Sequence, residues 1–152
     1  MVNWVGLWPN QAVPGAGAIV YTVWHRDGRF LYVGMAGRNG AVSPNSKVPF
    51  GRLNSHASGR RGGDQFCIYI CDRMVLPGLH NRLADGSLSL DRLTGDFFRL
   101  QLGYRWIPMA DGREAHQVER EIQKGALGIG MPLLNPLSDR LQAQRRKAAG
   151  RQ

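Results

Sequence analysis

The sequence predicts an α/β domain of the α+β kind: a small, largely antiparallel central sheet of about three strands, flanked by helices. Two observations carry this. β-Branched and aromatic residues fill two arms, 19–24 and 30–33, on either side of Asp27-Gly28, a dipeptide that tolerates the positive φ of a tight hairpin turn. Further strands and amphipathic helices then follow in an order without βαβ regularity, so strands pair with neighbours that run against them.

Residues 1–17 hold Trp4, Trp8, Pro9 and Pro14 and read as an irregular arm that packs its tryptophans on the domain. The hairpin follows, with Tyr21 on one arm and Tyr32 on the other. Residues 36–49 form a loop rich in Gly, Ser, Asn and Pro, and a long ordered loop is usually a functional one. A short helix is expected over 50–60, ending near Gly59. Gly62-Gly63 breaks the chain before 65–72, read as a buried strand. On a strand, Cys67 and Cys71 lie roughly 13 Å apart, out of disulfide reach. With no paired Cys/His spacing they are core packing rather than a zinc site.

Residues 76–89 are rich in turns. An amphipathic helix over 91–102 is expected to bury Leu93, Phe97, Leu100 and Phe98, and 104–109 is the third strand. The clearest helix is 111–126. Asp111 is its N-cap, and Gly128, Gly130 and Pro132 terminate it. The division is then an arm (1–17), a domain (18–137) and a basic tail (138–152).

The formal net charge is +9, from 20 Lys plus Arg against 11 Asp plus Glu. The tail carries Arg140, Arg145, Arg146, Lys147 and Arg151 and explains about half of the excess. An anionic partner is expected, nucleic acid first. No apolar run approaches the ~18 residues of a membrane span, no basic amphipathic helix has a bulky apolar face, and the first basic residue is Arg26. No membrane partner and a cytoplasmic location are therefore expected.

Four positions carry candidate chemistry. Arg52 and His56 are four apart and share a helix face. A guanidinium forks onto two phosphate oxygens, and an imidazole donates or moves a proton; a solvated basic face is the plainer alternative. On 111–126, Ala115, Val118, Ile122 and Ala126 form one stripe at ~100° per residue. Glu119 lies at its edge on the core side, while Glu114 and Glu121 point to solvent. A carboxylate against an apolar face needs a partner, either a divalent cation or a salt bridge. Asn135, before Pro136, sits where the chain folds back.

Taken in order, Ile19-Val20-Tyr21, Tyr32-Val33-Gly34, Arg52 with His56, Glu119 and Asn135 resemble the GIY-YIG nuclease superfamily over roughly 18–136. Ile19 stands where the first motif has its glycine. The loop before Arg52 is longer than in compact members, and 72–104 resembles an insertion. The resemblance implies a GIY-YIG-like fold and a metal-dependent endonuclease using Mg²⁺ or Mn²⁺ on nucleic acid, double-stranded DNA first. Its site would comprise Tyr21, Tyr32, Arg52, His56, Glu119 as metal ligand, and Asn135. Arg38, Lys47, Arg60 and Arg61 would contact the nucleic acid. The general base is Tyr21 or His56. As base, Tyr21 would need a nearby cation to lower its pKa from ~10. A non-catalytic nucleic-acid-binding module of the same fold is the alternative.

Overall fold

The hairpin forms as its composition dictates. In the computed structural model, which describes residues 8, 12–37, 48–79 and 89–135, strand β1 (Ala18–His25) pairs antiparallel with β2 (Phe30–Ala36). The turn between them is held by Asp27, whose carboxylate accepts from the Arg29 amide and guanidinium. Gly28 takes φ +91°, a conformation that glycine adopts without strain. Strand β3 (Leu102–Met109) pairs antiparallel with the other edge of β1, giving the order β2-β1-β3. The fold class is the predicted one: an antiparallel three-stranded sheet with four helices among the described residues.

The helices are α1 (Pro49–Ala57), α2 (Gln65–Ile70), α3 (Leu90–Gln101) and α4 (Gly112–Gln123). Helix α2 runs on through a wider π-helical turn at Cys71–Val75 and a 3₁₀ turn at Leu76–Gly78. This corrects the strand expected over 65–72. Asp64 caps the helix by accepting from the Phe66 amide, and Phe66, Cys67, Ile70 and Cys71 recur at helical spacing on the buried side. The two cysteines are free and buried, so the expectation of core packing stands although its strand geometry does not.

The β-pleat sends the two faces of the hairpin to separate cores. Ile19, Tyr21 and Val23 pack with Leu53, Phe66, Ile70 and Phe98, so α1, α2 and α3 cover this face. Val20, Val33, Ala18 and Phe30 pack with Ala115 and Ile122 of α4, which covers the other. Trp8 does dock from the arm: its indole donates to the Leu102 carbonyl, and its ring meets Phe98 and Tyr104 edge-on. Leu100 and Ala126, expected to be buried, are exposed. Phe98, Thr94 and Gly95 form the inward face of α3.

Two devices fix α1. The Gly59 backbone, at φ +70°, passes so close to Asp91 and Gly95 of α3 that any Cβ there would collide. Arg99 of α3 donates to the Ala57 carbonyl at 2.8 Å, satisfying an end of α1 that has no partner within the helix. Beyond α4, the chain returns along the outer edge of β2. The Leu133 and Leu134 amides donate to the Phe30 and Leu31 carbonyls, and this covers an otherwise open strand edge. Among the described residues, no helix is long and apolar enough to cross a membrane.

Candidate active site

Tyr21 and Tyr32 come together because of register. Tyr21 lies opposite Gly34, and Tyr32 lies opposite Val23, so the two tyrosines are diagonal neighbours on one face. Their ring centroids are 6.3 Å apart. Gly34 is the reason they fit: a Cβ there would stand 2.5 Å from the Tyr21 hydroxyl and 2.7 Å from the Tyr32 ring.

Arg52 of α1 acts on both hydroxyls, favouring the ionised form of each. Burial alone would weaken its hold on its proton. The adjacent Tyr21 and Asp64 outweigh burial and raise its pKa, so it stays a fixed cation. Burial, reinforced by Tyr32, pushes the Tyr21 hydroxyl well above the ordinary phenol value, and Arg52 offsets this only in part. Burial likewise pushes Tyr32 to about 12. The cation that a base role for Tyr21 asks for does act in the expected direction, without prevailing. The cation is present, but at 1 % exposure Tyr21 loses more to desolvation than Arg52 returns.

His56 shares α1 with Arg52, has no exposed surface and lies behind Tyr21. Its Nε2 lies 2.7 Å from the Tyr21 hydroxyl. Its Nδ1 lies 2.7 Å from Oδ2 of Asp64, itself only 2 % exposed. An ionised carboxylate only accepts, so Nδ1 carries a proton; when the imidazole is neutral, Nε2 is a lone pair and Tyr21 donates to it. Against burial, which would raise it, His56 and Arg52 hold the Asp64 carboxyl below its usual range. Rings fix the imidazole plane. Phe98 stacks on it at 6.1 Å, while Phe66 and Trp8 meet it edge-on.

Asp64 is the residue that sequence reading missed. Its signal was there: an aspartate after a Gly-Gly break, just before an apolar run, marks a helix N-cap.

Glu119 and Asn135 come from the far side of β2. The Glu119 side chain is 13 % exposed, against 54 % for Glu121, which pairs with Lys124 at the surface. Glu119 meets His116 Nδ1 at 3.4 Å, and its charge is felt at Tyr32. Tyr32 thus senses both Arg52 and Glu119. Asn135 is structural: its Oδ1 accepts from the Val33 amide at 2.8 Å and its Nδ2 donates to the Val33 carbonyl at 2.7 Å. The pair of bonds pins the return segment to β2.

Arg60 is exposed in the turn after α1. Arg61 is engaged, with its amide and guanidinium both on Asp91 of α3. Arg38, Lys47, Trp4 and the tail lie outside the described residues.

His56, Asp64 and Cys67 place their ligand atoms within 4.8 Å of one another, the spacing of a metal cluster. Their chemistry argues against an ion. His56 and Asp64 already bond each other, and the Cys67 thiol, which burial pushes far above its ordinary pKa, donates to the His56 carbonyl. A thiol must lose its proton to bind metal. Glu119 is a partly exposed carboxylate whose charge acts on Tyr32, and a carboxylate is the kind of ligand a hard divalent cation takes.

No family model, curated protein or solved structure matches this chain.

Proposed function

We propose that this protein is a metal-dependent endonuclease of the GIY-YIG type, hydrolysing phosphodiester bonds of nucleic acid, with double-stranded DNA the first substrate to test. The observation that carries the reading is the convergence on Tyr32. One guanidinium serves both tyrosines, and one carboxylate acts on the same ring from across β2. On a chain of net charge +9, a carboxylate held near the site would repel phosphate unless a cation came with the substrate.

In this reading Glu119 would hold Mg²⁺ or Mn²⁺. When bound, the ion supplies charge that stabilises the phosphoryl and leaving oxygens. The remaining tasks fall to the chain. Arg52 forks onto the non-bridging oxygens and neutralises charge as it grows. Tyr32, the less buried ring, orients the phosphate or the attacking water. Tyr21 takes the proton of that water. Gly34 keeps the two hydroxyls close, and Asn135 keeps β2 in place beneath them.

The test is digestion of a panel comprising supercoiled plasmid, branched DNA, single-stranded DNA and RNA, with Mg²⁺ and with chelator. Cleavage of at least one substrate with Mg²⁺ and none with chelator is expected. Binding without cleavage across the panel would instead favour a module that only grips nucleic acid.

A further inference from the structure

Glu119 has a neighbour of matching chemistry on its own helix. His116 lies three residues earlier on α4, so the two side chains share one helix face. Its Nδ1 stands 3.4 Å from Oε2 of Glu119. The other ion pairs between described residues close at 2.7–2.9 Å, among them Glu121 with Lys124 on the same helix. The His116 pair is thus longer than an ordinary N–H···O bond. It comes close to a different spacing. Adjacent ligands of an octahedral ion, each about 2.1–2.2 Å from the metal, stand about 3 Å apart.

We propose that His116 is a second ligand to the ion on Glu119, and that its imidazole tunes the site toward a first-row transition ion, Mn²⁺ before Mg²⁺. The inference rests on the nuclease reading's choice of Glu119 as metal ligand. A glutamate and a histidine three apart on one helix is a spacing that ligates di-iron and di-manganese centres in helix bundles. Mg²⁺ prefers oxygen donors and gives up its waters reluctantly. An imidazole therefore adds little for Mg²⁺ and more for a transition ion. A neutral imidazole with its proton on Nε2 turns the Nδ1 lone pair toward the shared position.

Exposure fits an ion that must also meet substrate. The Glu119 side chain is 13 % exposed and that of His116 is 50 % exposed, so one ligand is anchored against the domain and the other opens to solvent. The Glu119 charge acts on Tyr32, and an ion on this carboxylate would act on the same ring. The cluster of His56, Asp64 and Cys67 differs on both counts. It has almost no surface, and its histidine and aspartate close on each other at 2.7 Å.

The test is titration of the full chain with Mn²⁺ alone, read by electron paramagnetic resonance, with spin-echo modulation reporting any ¹⁴N bound to the ion. Wild type, His116→Ala, His116→Gln and Glu119→Ala are compared. His116 is half-exposed, so its variants keep the core intact. His116→Gln keeps a polar group beside Glu119 but no imidazole. Wild type should bind Mn²⁺ with imidazole nitrogen modulation. Both His116 variants should lose the modulation and bind Mn²⁺ more weakly by roughly 10–100-fold, a loss that even outer-shell partners of a metal can cause. Mg²⁺ should then displace Mn²⁺ more readily from the variants than from wild type. Bound Mn²⁺ without nitrogen modulation in wild type, or modulation that survives in His116→Ala, overturns the second ligand and leaves the nuclease reading intact. Mn²⁺ that fails to bind wild type, or binds Glu119→Ala equally well, overturns the second ligand together with Glu119 as metal ligand. Nitrogen modulation that depends on His116, in a protein that cuts no nucleic acid, keeps the two-residue metal site and overturns the nuclease reading.

Discussion

The Tyr21 hydroxyl and the His56 imidazole meet at 2.7 Å in a place that solvent does not reach. That contact changes what each residue can do. It sets His56 behind Tyr21, away from the surface. It also ties β1 to α1, so the candidate chemistry and the packing of the core share one bond.

Gly34 should tolerate no side chain. In Gly34→Ala the new methyl would overlap both tyrosines. Relief requires a ring to leave its position, at a cost of about 1–3 kcal/mol. Denaturant titration should show that loss, and cleavage by the folded fraction should fall further than stability does, because both hydroxyls move.

Asn135 should behave as a fastener. Asn135→Ala leaves the buried amide and carbonyl of Val33 without their partners. At about 1–3 kcal/mol for each such group, the midpoint of urea unfolding should drop clearly. Well below the melting temperature, kcat should stay within a few-fold of wild type. A large kcat loss in a stably folded Asn135→Ala protein would mean that the amide handles substrate.

Asp64 should mark the acid limb of stability. Its folded carboxyl lies below the ordinary value of 3.8, so it stabilises the fold fully above that pH and loses this contribution as pH falls below it. Asp64→Asn should therefore be less stable than wild type at pH 7, with the gap narrowing at pH 3. Urea midpoints at the two pH values check the sign.

The hairpin was legible because Asp27-Gly28 and two β-branched arms leave few alternatives, and α4 because Asp111 and the Ala115–Ile122 stripe agree. Glu119 followed from that stripe by angle alone. The segment 65–75 was misread for a physical reason. Phe, Ile and Tyr are strand formers, and in a short apolar run buried on one side the helical and extended patterns overlap. Reading it as a strand hid Asp64, since a helix cap has no meaning before a strand. His56 was placed on the correct helix, but its burial depends on Phe98, Phe66 and Trp8, which arrive from distant parts of the chain. The Tyr21 pKa had the same cause: spacing reveals the cation, and only the fold reveals the desolvation.

Arg52→Lys should be no conservative change. Lysine keeps the charge but not the planar fork that matches two phosphate oxygens. Cleavage should fall roughly 10²–10³-fold, the scale of losing one oriented donor to transition-state charge, while nucleic-acid binding at low salt stays close to wild type. Wild-type kcat in Arg52→Lys would show that Arg52 contributes charge alone.

The central claim is that Glu119 carries the metal on which cleavage depends, and three proteins in one nicking assay test it: wild type, Glu119→Ala and Glu121→Ala. Glu121 lies on the same helix but faces solvent beside Lys124, so it controls for charge and folding. With Mg²⁺, wild type and Glu121→Ala should relax supercoiled plasmid at similar rates, and Glu119→Ala should bind the DNA without cutting it. Mg²⁺-dependent cleavage that persists in Glu119→Ala, or that is lost in Glu121→Ala alone, would contradict the account.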